Sequence, residues 1–255
     1  MDAIVGASGF VGGSIARQRP EARGFTSRDS REAMGPTWDR VWFAAARAEK
    51  WRINKDPATD AAHIAELIRL VEGIRAERFV LISTVDVYGT PAGVDESTPI
   101  ETTGLHPYGL HRYELERAVR RAHPTALIVR LPGLYGRGLK KNIVYDLLHD
   151  NGVDRINPDS EFQYYGVESI AADLDRALEL GLDLLNLTSA PVSTGRLATE
   201  CFGVELPALP DASAIRYDMR TLHPEVLGGP APYGRSADEV VAGIRAFVER
   251  TRASG

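Results

Sequence analysis

The feature that most constrains this chain lies in its first twelve residues. Ala3-Ile4-Val5 reads as a strand, Gly6-x-x-Gly9-x-x-Gly12 follows at once, and an amphipathic stretch continues to about Arg17. Glycine accepts positive φ and lets other groups approach the backbone closely. The start of a helix offers unpaired N–H groups and partial positive charge to a phosphate. A three-glycine pattern by itself is weak. Between a first strand and a first helix, it predicts a βα unit whose turn cradles the pyrophosphate of a dinucleotide.

The rest of the chain continues in the same alternation. A short second strand is expected near Gly24-Phe25-Thr26, and a third over Arg40–Ala44 leads into Ala45 and Ala46. From Pro57 to Ile74, the apolar residues Ala61, Ile64, Leu67, Ile68, Val71 and Ile74 keep helical spacing. Arg78–Ile82 and Ala126–Leu131 are apolar runs without alternation, as suits parallel strands covered on both faces. A helix over about Tyr108–Arg121 lies between them. Beyond Pro132-Gly133 the pattern loosens. Helices are expected near Ile143–His149 and Ile170–Leu180, an edge strand near Phe162–Tyr165, a strand at Leu184–Leu187 and a last helix over Ala237–Glu249. Pro191, Pro207, Pro210, Pro224, Pro230 and Pro232 mark loops, and the tail Arg252–Gly255 is expected to fray. The fold class expected is α/β, a Rossmann-type doubly wound parallel sheet with a small C-terminal substrate lobe. The division expected is a dinucleotide-binding domain over residues 1–135 and a smaller lobe over 136–255, interleaved with the end of the sheet.

With 255 residues, 44% of them hydrophobic, the chain can bury one sizeable core. Its formal charge of −5 leaves no basic footprint for nucleic acid or an anionic membrane, so an anionic substrate must meet a local basic cluster. Cys201 is the single cysteine, which rules out an intrachain disulfide and suits a reducing compartment. The six histidines form no metal-ligand spacing, so no metal site is expected. No leader or bilayer-spanning run is read, and a cytoplasmic location is expected.

An NAD-preferring site places an acid at the end of the second strand, where it accepts the adenine ribose hydroxyls. Here that end reads Thr26-Ser27-Arg28-Asp29. Ser27 followed by Arg28 suits the extra phosphate of NADP, which is favoured over NAD. The alternative is that Arg28 is a solvated loop charge and Asp29 does the acid's work.

Three further segments fall where strands end or helices open: Ser83-Thr84-Val85-Asp86-Val87-Tyr88-Gly89, Pro107-Tyr108-Gly109-Leu110-His111-Arg112 and Arg130-Leu131-Pro132-Gly133-Leu134-Tyr135-Gly136. Ligands of open α/β sheets bind beyond the carboxyl ends of strands. With the glycine turn and the strand ending in alanines, these segments resemble the NAD-dependent epimerase/dehydratase family, extended short-chain dehydrogenases/reductases that act on nucleotide sugars. The resemblance spans roughly residues 3–200.

The resemblance implies roles residue by residue. Tyr108 would be the catalytic acid/base, and Thr84 would hydrogen-bond the same substrate oxygen. Gly6, Ser8, Gly9, Phe10, Val11, Gly12, Ser27, Arg28, Ala44, Ala45, Ser83, Tyr108, Arg112 and Pro132 would contact the cofactor. The family's lysine four places after the tyrosine is replaced by Arg112. Arginine keeps the charge that favours phenolate, but its planar guanidinium makes the exchange non-conservative. Asp86 stands where dehydratases of the family carry a base that acts beside a transient ketone; alternatively it caps a loop. The neighbouring acid of those dehydratases is Val85 here. His63 stands where many members have asparagine, or is a helix histidine satisfied by a backbone carbonyl.

On the substrate side, Thr84, Asp86, Gly133, Arg137, Lys141 and Asn142 are the candidates. Lys140 adds to a basic group that would meet a pyrophosphate or else form a solvated face. Phe162, Gln163, Tyr164 and Tyr165 would stack on a nucleobase or pack in the core. The reading is an NAD(P)-dependent oxidoreductase of a nucleotide-activated sugar, with reduction, epimerisation or dehydration left open and a homodimer expected by analogy. The alternative, prompted by Arg112, is a non-catalytic NAD(P)-binding sensor of the same fold.

Overall fold

The computed structural model describes residues 1–209 and 213–254. Pro210 and Gly255, which enter the loop and tail expectations, lie outside the described residues. The chain divides into two compact units. The first comprises Met1–Thr90, Thr98–Leu131 and Ile170–Leu185; the second comprises Pro91–Ser97, Pro132–Ser169 and the chain from Asn186 onward.

The first unit is built on a six-stranded sheet. Its strands are β1 (Asp2–Val5), β2 (Arg23–Phe25), β3 (Thr37–Phe43), β4 (Arg75–Thr84), β5 (Leu127–Leu131) and β6 (Leu184–Asn186). Their order is β6-β5-β4-β3-β1-β2, and every pair from β2 to β5 is parallel. The chain reverses its direction of travel across the sheet between β1 and β3, where an open α/β sheet forms its ligand crevice. The helices are α1 (Phe10–Gln18), α2 (Lys50–Lys55), α3 (Pro57–Gly73), α4 (Pro107–Ala122) and α5 (Ile170–Glu179).

Local signals explain these elements. All five residues of β5 are buried, as a central parallel strand requires. Pro57 opens α3 at a position where no N–H is needed, and the Asp56 carboxylate accepts from Thr59 N at 3.3 Å. The buried stripe of α3 is Asp60, Ile64, Leu67, Leu70 and Val71. A carboxylate thus begins the apolar stripe, and Ala61 lies outside it. Pro107 likewise opens α4, with His106 Nδ1 accepting from Gly109 N at 3.0 Å. Trp38, Phe43, Phe79, Ile64, Leu115 and Ile128 belong to the core of this unit.

The second unit has its own core, with Val144, Tyr164, Leu197, Val240 and Ile244 among its members. Gly133–Tyr135 pairs in parallel with Tyr164–Gly166, while Glu161–Phe162 pairs antiparallel with Val192–Ser193. The expected edge strand at Phe162–Tyr165 is therefore two strands in two small sheets, broken at Gln163. The buried Gln163 amide explains the break: it donates to Thr188 Oγ1, Ser189 O and Met219 O and accepts from Met219 N. The last helix runs over Ala237–Ser254, five residues beyond the expected end, and takes in most of the expected frayed tail.

Candidate functional site

The glycine turn is a cradle of backbone. Gly6 has φ +92°, and a Cβ there would overlap the Ala44 carbonyl at the end of β3. A Cβ on Gly12 would overlap the Gly6 carbonyl oxygen. Gly6 N and Ala7 N both donate to Phe25 O at 2.9 Å, fastening the turn to the end of β2. Gly9 N-caps α1 with no side chain to occupy the first-turn N–H groups. Ser8 is exposed, and Phe10 and Val11 are half-buried in that first turn. The backbone of Ala44 and Ala45 lies against Gly6 on the other side of the turn.

At the end of β2, Ser27 and Arg28 are exposed. Asp29 is turned inward: its Oδ1 accepts from Thr26 N at 2.6 Å and from Thr26 Oγ1 at 2.9 Å. These bonds hold the Asp29 carboxyl below its ordinary pKa.

Beyond β4, the segment from Ser83 forms a 3₁₀ turn over Val85–Tyr88. Thr84 caps it, accepting from Asp86 N at 3.2 Å and donating to Asp86 Oδ2 at 3.4 Å. Ser83 has a different setting: its hydroxyl donates to Glu116, which forms a buried ion pair with Arg130 at 2.7 Å. Arg130 in turn lies 4.8 Å above the Tyr88 ring. Val85 is buried.

Helix α4 lies directly on this turn, and a Cβ on Gly109 would overlap the Asp86 carbonyl oxygen. That contact sets Tyr108 beside Thr84 and Asp86. Burial pushes the Tyr108 phenol above its ordinary pKa; the Arg112 charge opposes this, Asp86 adds to it, and the Thr84 hydrogen bond and Lys50 oppose it. Arg112 is 3% exposed, with its guanidinium 4.4 Å above the Tyr108 ring. It donates to both oxygens of Asp60 and to the Arg47 carbonyl, leaving its buried Nε without a protein partner. Asp60 also meets His111 Nδ1 at 2.8 Å. His63 is held by the Ala45 backbone, and its desolvated ring has a lowered pKa.

Three side chains here were not read from the sequence. Lys50 Nζ meets Asp86 Oδ1 at 2.6 Å, Asn54 Oδ1 accepts from Tyr108 N at 3.0 Å, and Asp60 is the buried anion beneath Arg112. The first two stand on α2, a helix too short to show a period. Asp60 resembles an ordinary first-turn acid of α3.

The remaining candidates lie in the second unit. A Cβ on Gly133 would come within 2.9 Å of Gln163 O, so its glycine serves the pairing of Gly133–Tyr135. Asn142 caps the helix Ile143–Leu148 through Oδ1 and donates to Leu134 O at 2.7 Å. Pro132 is buried, while Arg137, Lys140 and Lys141 are exposed. Tyr164 and Tyr165 are 3% and 4% exposed, which is core packing, and Phe162 packs against Tyr217.

The glycine cradle, the open helix start and the unpartnered Arg112 Nε fit a bound dinucleotide. Together with the parallel sheet, they define a Rossmann-type dinucleotide-binding protein. The model of the NAD dependent epimerase/dehydratase family matches residues 25–151, a span that begins after the glycine turn. No curated protein matches the sequence. Among solved structures, the dTDP-4-dehydrorhamnose reductase of Yersinia enterocolitica superposes with a TM-score of 0.74 at 14% identity, covering 97% of this chain and 98% of that one. The UDP-glucose 4-epimerase of Thermotoga maritima gives 0.72 at 17%, covering 100% and 99%. An NAD-dependent NDP-hexosamine 5,6-dehydratase of tunicamycin biosynthesis gives 0.73 at 18%, covering 97% and 96%. A reductase, an epimerase and a dehydratase thus share this fold. Among the described residues, no helix is long and apolar enough to cross a membrane.

Proposed function

We propose that this chain is an NAD(P)-dependent oxidoreductase of a nucleotide-activated sugar, moving hydride between the nicotinamide and a sugar carbon. The observation that carries this reading is the Tyr108 site: a buried phenol beside Thr84, lying under the Arg112 cation. Tyr108 would donate or accept the proton at the reacting oxygen, and Thr84 would fix that oxygen. The cofactor supplies the redox chemistry, and the chain supplies position and electrostatics. Ser8, Gly9, Phe10, Val11, Ala44, Ala45 and Pro132 would line the dinucleotide, while Gly133, Arg137 and Lys141 would serve the substrate. Residues 1–135 would thus carry most of the cofactor contacts and residues 136–255 most of the substrate contacts. Exposed Ser27 and Arg28, with Asp29 already engaged, favour NADP over NAD. The protein would work in the cytoplasm as a homodimer.

A second reading has an observation of its own. Both Nη groups of Arg112 are engaged by Asp60 and the Arg47 carbonyl, as suits a cofactor-binding sensor without turnover. One experiment separates the two. Nucleotide released from the denatured protein is identified by mass spectrometry, NAD(H) and NADP(H) are titrated calorimetrically, and turnover is assayed with UDP- and dTDP-4-keto sugars. For an enzyme, Tyr108→Phe lowers turnover at least a hundredfold while cofactor affinity stays within about twofold. Binding without turnover in the unsubstituted protein would favour the sensor, and absence of any dinucleotide binding would overturn both.

A further inference from the structure

The family's lysine four residues after the tyrosine is replaced by an arginine that lies over the flat of the Tyr108 ring. Arg112 is fixed there by the Asp60 carboxylate and the Arg47 carbonyl, and its guanidinium makes no hydrogen bond to the phenol oxygen. The phenol end of Tyr108 meets a different set of groups. Thr84 lies beside the phenol, and its Oγ1 is 3.4 Å from Asp86 Oδ2. The other oxygen of Asp86 is held by Lys50 Nζ at 2.6 Å. A polar row therefore runs from Lys50 through Asp86 to Thr84, next to Tyr108.

We propose that Lys50 is a positioning residue of this site, anchoring Asp86 beside Thr84 and adding its positive charge to that of Arg112 near Tyr108. The inference rests on the reading of Tyr108 as the proton-handling group. Asp86 alone would add a negative charge beside a group whose phenolate form must be reachable; Lys50 offsets that charge. The Lys50 side chain is 39% exposed and that of Asp86 14%, so the pair is partly screened and its effect is moderate. Short helix α2 does two jobs at once, since Asn54 on it accepts from the Tyr108 backbone N–H.

Several charged or titratable groups of the first unit gather around this row. Arg112 lies on α4 with Asp60 of α3 and His111 behind it, His106 caps α4, Asp86 sits in the turn after β4, and Lys50 stands on α2. The test uses the whole protein with 3,5-difluorotyrosine placed at position 108, whose lower intrinsic pKa brings ionisation into an accessible range. Its ¹⁹F resonance is followed against pH, with neither cofactor nor substrate present. Lys50→Met is expected to raise the midpoint by about one pH unit. Lys50→Arg keeps it within a few tenths, and the double variant Lys50→Met/Asp86→Asn brings it back toward the unsubstituted value. An unchanged midpoint in Lys50→Met, or an equal rise in Lys50→Arg, would overturn the proposal. Because the titration needs no turnover, it tests Lys50 separately from the reading of Tyr108, which Tyr108→Phe tests.

Discussion

At the scale of single residues, Asp60 is the buried anion that holds Arg112. Burial alone would raise its carboxyl pKa, but the Arg112 and His111 hydrogen bonds and the Arg112 charge outweigh burial and hold it below the ordinary 3.8. Removing one partner of a buried ion pair strands the other, at a cost of about 3–5 kcal/mol. Asp60→Asn is expected to lose about that much in urea denaturation at pH 7. The pH dependence follows from the lowered pKa. The stabilisation from Asp60 is complete above its unfolded value and fades as pH falls through its depressed folded value. Between pH 5 and 2, the variant should therefore lose less stability than the unsubstituted protein; equal acid limbs would place the ion pair's contribution elsewhere. Residues whose chemistry is local were legible in the sequence: the glycines, Thr84, Tyr108 and Arg112. Asp60 was not, because a carboxylate in the first turn of a helix ordinarily faces water and complements the helix dipole. Only the long contact to α4, 52 residues away, makes it a core residue.

Strands and helices repeat this division between local and distant signals. Strands β1, β4 and β5 and helices α3 and α4 were legible because apolar periodicity and proline caps announce them within a short window. Helix α2 has six residues, of which only Ile53 is buried, and Trp51 on it is 70% exposed. No period can emerge from one buried position. What holds α2 is Ile53, together with the Lys50 and Asn54 contacts. Ile53→Ala should cost about 2–4 kcal/mol by loss of burial and a residual cavity. It should also speed hydrogen exchange at the Tyr108 amide, which loses its anchor on Asn54. Unchanged exchange there would mean that α4 holds its first turn without help from α2.

In the molecule as a whole, the short strands of the second unit escaped the sequence. Strands of two or three residues such as Ala92–Val94 and Asp218–Met219 carry no alternation, yet they pair across more than a hundred positions. The parallel sheet of the first unit, by contrast, was expected strand by strand. The glycine turn, Ser27, Arg28, Tyr108 and Arg112 all belong to that first unit. Cofactor binding should therefore register as stability: NADPH at a hundred times its Kd should stabilise the folded protein by about 2.7 kcal/mol. Arg28→Ala should cut NADPH affinity about tenfold, near 1.4 kcal/mol, and leave NADH unaffected. A rise in melting temperature with NADPH that the substitution leaves undiminished would assign the phosphate to another group. The route of the chain also bears on how specificity in this protein can be rebuilt. The backbone changes unit between residues 90 and 91, 97 and 98, 131 and 132, 169 and 170, and 185 and 186. A chimera that borrows the second unit of a relative must therefore splice three separate stretches of gene at five junctions. A chain cut after residue 131 would lack α5 and β6, the edge of the sheet that carries the cofactor turn, so neither half is a module that recombination can move in one step.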